Sequence, residues 1–75
     1  MEIEADPKML DAYGLSIGNL VRRLRDEGVE ILAQRETTLE VRTKYRPDAL
    51  LDLVLDTRQG SPIRLRDVAR IHVRP

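Results

Sequence analysis

The sequence contains no cysteine, no tryptophan and no phenylalanine. Without cysteine there is no disulfide, no thiolate nucleophile and no zinc-thiolate site, and redox chemistry says nothing about compartment. With two tyrosines as its only aromatic residues, the chain must build its core from Leu, Val and Ile, and it offers no aromatic platform for stacking bases. An excess of one charge is also missing. Thirteen basic and thirteen acidic residues cancel to a net charge of zero, so the electrostatic footprint of a protein that lives on phosphate backbones is absent and no nucleic-acid partner is expected. No apolar run approaches the roughly 18 residues of a membrane span. The N-terminal MEIEADP lacks the basic-then-apolar order of a signal peptide, and the chain as it stands is expected to be soluble.

What is present suits one small domain. A chain of 75 residues, 41% of them hydrophobic, buries only about 60% of the surface its unfolded form exposes, so its aliphatic core must be used fully. Glu2-Ile3-Glu4-Ala5 alternates like a short half-buried strand. Asp6 and Pro7 then form a helix start: the carboxylate can accept from first-turn amides, and proline has no amide to leave unpaired. Met9, Leu10 and Tyr13 fall on one face, and Gly14 supplies a left-handed stop. Ser16 caps a second helix whose apolar positions Ile17, Leu20, Val21 and Leu24 keep helical spacing, and Gly28 ends it. Two helices in tandem with almost no linker are thus specified from Asp6 onward.

From Val29 the period changes to two. Val29, Ile31 and Ala33, then Leu39, Val41, Thr43 and Tyr45 after a polar break at 35–38, predict a hairpin. Pro47-Asp48 opens a short helix from Asp48 to about Leu53, and the apolar run continues through Val54 and Leu55 into a buried strand. Arg58, Gln59, Gly60, Ser61 and Pro62 form a turn by composition. Ile63 and Leu65 follow, then a helical turn at Arg66-Asp67-Val68 and a last strand alternating Ala69, Ile71 and Val73 with charged residues. Strands that bracket helices without regular alternation argue for an α+β, two-layer sandwich with short helices on one face of a small mixed β-sheet.

Chemistry-bearing arrangements are sparse. His72 is the lone histidine and has Arg70 and Arg74 on its own strand face, with no second nitrogen ligand and no obvious carboxylate partner, so it reads as a solvated strand residue rather than a metal ligand. Both serines serve as cap or turn residues, and a nucleophile without a base is not activated. The glycines are dispersed and form no phosphate-cradling loop. No catalytic, metal or cofactor-binding residue is expected. The run Arg22-Arg23-Leu24-Arg25 is followed at once by Asp26 and Glu27, the pattern of a solvated helix face. Eleven of the thirteen basic residues are arginine, which favours forked pairing with carboxylates at surfaces and interfaces.

The order E-I-E-A-D-P-K-M-L-D-A-Y-G-L-S, an amphipathic helix ending near G-V-E-I, and finally D-T-R-Q-G-S-P-I-R-L-R-D-V-A-R-I resembles the docking subdomain in the periplasmic part of resistance-nodulation-division (RND) efflux transporters. It is more similar to the subdomain from the first half of those proteins. The resemblance covers nearly the whole chain. It implies an excised periplasmic docking subdomain of an inner-membrane multidrug or metal efflux transporter, a non-catalytic wall of a funnel. Its partners would be an outer-membrane channel protein, a periplasmic adaptor protein and the neighbouring protomers, with the tip Arg58 to Pro62 directed toward the outer-membrane component. Two departures matter. Only positions 34–38 stand where many members carry a long arm that reaches the next protomer, and the membrane helices and cargo-binding subdomains lie outside the sequence. Without the arm, the isolated chain is expected to be a monomer. A reading of another class, a small regulatory or ligand-binding α+β domain of an unrelated larger protein, would require a pocket lined with polar groups.

Overall fold

The computed structural model describes residues 1–74. Its elements run β1 (Glu2–Ala5), α1 (Pro7–Ala12), α2 (Ile17–Asp26), β2 (Glu30–Arg35), β3 (Thr38–Arg42), α3 (Pro47–Leu51), β4 (Val54–Arg58), β5 (Ser61–Arg64), α4 (Leu65–Val68) and β6 (Ala69–His72). The class is α+β, with short helices layered on a small sheet. The mixed sheet expected from the sequence resolves into antiparallel pairs only. Four strands make one sheet in the order β2-β3-β1-β6, and β4 and β5 form a separate two-stranded ribbon.

Period-two patterning explains the sheet. β1, the first strand of the chain, becomes an interior one, with Ile3 opposite Leu39 on one side and Ile71 on the other. Ile3, Ala5, Leu39, Val41 and Ala69 point inward and are buried. Helical residues Leu10, Leu20, Val21, Leu24, Leu50, Leu65 and Val68 close over them, and Ile63 at the base of the ribbon joins the same cluster. Each buried Leu, Ile or Val removes enough apolar surface from water to contribute about 1.5–3 kcal/mol, which is how a core without large rings suffices.

Several boundaries differ from expectation, each for a local reason. Met9 was expected in the core stripe with Leu10 and Tyr13, yet it is 38% exposed. α1 is less than two turns long, so only Leu10 faces fully inward. Arg35 and Thr38 belong to the strands, and only Glu36 and Thr37 turn the chain. β3 ends at Arg42 rather than Tyr45, because the Thr43 hydroxyl accepts from the Tyr45 amide at 3.1 Å and bends the backbone out of the ladder. α3 spans Pro47–Leu51 and closes before Leu53, whose amide donates to the Leu50 carbonyl at 3.1 Å. The last strand stops at His72, leaving Val73 61% exposed. In β2 the register shifts between Ile31 and Ala33, so Ala33, expected on the inward face with Val29 and Ile31, stands opposite Glu40 and is exposed, as is Leu32 at 48%.

Candidate functional site

The corner between α1 and α2 is closed entirely by local chemistry. The Asp6 carboxylate accepts from the amides of Lys8 at 2.9 Å and Met9 at 3.3 Å, with Pro7 in the first helical turn. Gly14 has φ +70°. Its amide donates to the Asp11 carbonyl at 3.0 Å and the Leu15 amide to the Leu10 carbonyl at 2.8 Å, the paired bonds of a Schellman stop. Ser16 then begins α2 through a reciprocal cap. The Asn19 amide donates to Ser16 Oγ at 3.1 Å, and the Ser16 amide donates to Asn19 Oδ1 at 2.9 Å. Gly28, at φ +82°, repeats the stop after α2: its amide meets the Arg25 carbonyl at 3.0 Å, and that of Val29 meets the Leu24 carbonyl at 3.0 Å.

The corner touches the ribbon. A Cβ placed on Gly14 would lie 3.4 Å from Arg58 Nη2, so the Arg58 guanidinium folds back over the bare glycine instead of extending from the tip. Arg58 Nε also pairs with Asp56 Oδ2 at 3.5 Å. Arg58 and Ser61 are register partners, leaving Gln59 and Gly60 as a two-residue loop. Both have positive φ, +51° and +79°, the requirement of a type I′ turn whose twist suits a hairpin. Pro62 stands opposite Thr57, and every residue from Asp56 to Pro62 is exposed. The structure therefore places Arg58 to Pro62 at one exposed hairpin tip, and Asp6, Pro7, Gly14, Ser16 and Gly28 at the caps and stops of α1 and α2.

The root of the ribbon is held by contacts that sequence reading missed. Arg23 Nε donates to the Val54 carbonyl at 3.1 Å, while its Nη1 pairs with Glu27 Oε1 at 2.6 Å. The Tyr45 hydroxyl donates to Glu27 Oε2 at 3.2 Å. The Arg23 hydrogen bond and then its positive charge hold the Glu27 carboxyl below the ordinary glutamate range; Tyr45 adds to this, and partial desolvation opposes it. The i, i+4 spacing of Arg23 and Glu27 was a legible signal, whereas the reach to Val54 was not. On the far side, Arg64 Nη1 donates to the Asp52 carbonyl at 2.8 Å, and Arg66 pairs with the Asp52 carboxylate. The Asp67 carboxylate accepts from the Arg64 amide at 2.8 Å, and an acid three residues after Arg64 was the clue to that cap.

The outer face of the sheet is laced with both charge signs. His72 does have a carboxylate neighbour, correcting the expectation: Glu4, on the adjacent strand, brings Oε1 to 3.3 Å from Nε2. The correction comes from register, since Glu4 stands opposite Arg70 and only the folded sheet sets it diagonal to His72. Arg74 pairs with Glu2 at 3.3 Å and Arg42 with Glu30. Among the described residues no three His, Asp or Glu side chains converge as a metal site, and no helix is long and apolar enough to cross a membrane. A surface concavity of about 350 Å³ lies between α2 and the ribbon, with Gly14, Asn19, Arg22, Arg23 and Arg58 in its wall. Compared with known protein families, curated proteins and solved structures, the chain matches none.

Proposed function

We infer that the chain is a non-catalytic docking and funnel-forming module of an RND-type multidrug or metal efflux transporter, sited in the periplasmic portion of that inner-membrane protein. The ribbon tip from Arg58 to Pro62 meets the outer-membrane channel protein. The periplasmic adaptor and neighbouring protomers contact the flanks in the full pump. One observation carries this reading: the segment D-T-R-Q-G-S-P, part of the resemblance to RND docking subdomains, forms a projecting ribbon with every residue from Asp56 to Pro62 exposed. The ribbon's base is tied to α2 by Arg23 and to α4 by the Leu65 amide, which donates to the Leu53 carbonyl at 2.9 Å. A contact surface held this way loses little conformational freedom on binding.

The test is binding of the chain, immobilised through its N-terminus, to purified outer-membrane channel protein from the same pump locus. Weak, saturable binding is expected, and replacing Gln59, Ser61 and Pro62 by alanine together should weaken it by about tenfold, the scale of one lost anchor. Equal binding by the tip variant would remove the tip from the interface. A locus in which this reading frame is not continuous with two sets of membrane spans would overturn the assignment to a transporter.

A further inference from the structure

A projecting two-stranded ribbon exposes two backbone edges, and each is a template for adding a strand. Here both edges lack donors at the positions that matter. A two-residue loop makes its flanking residues, Arg58 and Ser61, a pair bonded across the ladder, so the next pair, Thr57 and Pro62, directs its backbone groups outward. Pro62 has no amide hydrogen. The outward amide of Thr57 is taken by Asp56 Oδ1 at 2.8 Å. Further down β5, the amide of Arg64 is taken by Asp67 Oδ2 at 2.8 Å. In β4, the register shift between Val54 and Asp56 further breaks the regular spacing an incoming strand would need. The outward carbonyls of Thr57 and Pro62 remain, so at these edge positions the ribbon offers backbone acceptors and no free backbone donor.

We propose that Asp56, Pro62 and Asp67 are edge guards, and that they restrict the ribbon to end-on recognition by a concave protein surface that supplies side-chain donors, such as arginine, lysine, asparagine or glutamine. The partner half of this proposal rests on the docking reading. Strand addition requires alternating donors and acceptors along one edge, and the ribbon withholds the donors. The Asp56 carboxylate serves twice: Oδ1 holds the Thr57 amide, and Oδ2 faces Arg58. Retraction of Arg58 over Gly14 leaves Gln59, Gly60 and Ser61 as the leading surface.

The guards are tested on the 75-residue chain alone, by sedimentation velocity across a dilution series and amide exchange read by NMR. The wild type is expected to stay monomeric. Pro62→Thr combined with Asp56→Ala restores two outward donors and is expected to give a concentration-dependent dimer, with exchange slowed at Thr57 and at the amide gained at position 62. Pro62→Thr alone should show a weaker form of the same change and serves if the double variant unfolds. Variants that are folded by circular dichroism but stay monomeric with unslowed edge exchange would overturn edge guarding, as would a wild type that dimerises through the ribbon. A second measurement uses the purified outer-membrane channel protein as probe. Carbonyl shifts at Thr57 and Pro62 without new protection of ribbon amides are expected, and protection along either edge would overturn end-on recognition. Absence of any channel binding would count against the docking reading and leave the guards to be judged on the first measurement.

Discussion

Gly14 is a residue whose backbone, rather than its packing, dictates its identity. At φ +70° a β-branched side chain is strongly disfavoured, whereas the nearest obstacle to a Cβ is the flexible end of Arg58 at 3.4 Å. Gly14→Val is therefore expected to destabilise the fold by more than about 1 kcal/mol through conformation alone, read as a lowered denaturant midpoint with an unchanged slope. An unaltered midpoint would mean that the Schellman stop contributes nothing. Glu27 gives the second prediction at this scale. Its carboxyl titrates lower in the folded chain than in the unfolded one, because Arg23 stabilises the anion. The stability it contributes is thus full above the unfolded value and is lost as pH falls through the folded one. Glu27→Gln should lower the denaturant midpoint at about pH 7 and have little effect at about pH 3, below the usual carboxylate range. A deficit that persists undiminished in acid would assign the effect to packing rather than charge.

At the level of elements, the ribbon depends on a turn that its own residues fill imperfectly. Gln59 adopts φ +51°, a conformation that asparagine tolerates better than glutamine, and Asn-Gly is the preferred pair for a type I′ loop. Gln59→Asn is expected to raise stability by about 0.5 kcal/mol, seen as a higher thermal midpoint, and a fall would show that the turn is of another type. The turn, like the caps at Asp6 and Ser16 and the stops at Gly14 and Gly28, was legible because its chemistry is complete within a few residues. Three other features were not. Met9 shares its helical period with Leu10, and only the shortness of α1 decides which of the two is covered. Ala33 keeps the alternation of Val29 and Ile31, but the register against β3 slips and turns it outward, opposite Glu40. Arg23 looked like a solvated charge until β4 brought the Val54 carbonyl to it across thirty-one positions of sequence. In each case the deciding neighbour is distant in the chain, and local pattern does not encode it.

For the molecule as a whole, charge balance and edge design act together. The sheet's outer face mixes acids and bases: Glu2 stands beside Glu40 on β3 but pairs with Arg74, and Glu30 pairs with Arg42, so no single-sign field attracts a second copy. Edge strand β2 carries a register shift at Leu32, and β4 carries one at Leu55, irregularities that discourage edge-to-edge pairing there. Charged contacts of this kind rarely persist below about 1,000 Å² of buried surface. The chain should therefore sediment as a monomer at micromolar concentration, with any association weakened by moderate salt. A trimer that survives dilution and salt would place an interface on Leu32 and the outer strand faces. The pairing of β1 with β6 also has a mechanical side. Glu2 lies opposite His72, so the two ends of the sheet's joined strands leave the fold next to each other, about one strand spacing apart. Tension applied to both ends at once would load the hydrogen bonds of that seam one after another, as in a zipper, instead of all together as in shear. A domain tethered at both ends in this way yields first at the seam where β1 and β6 are joined.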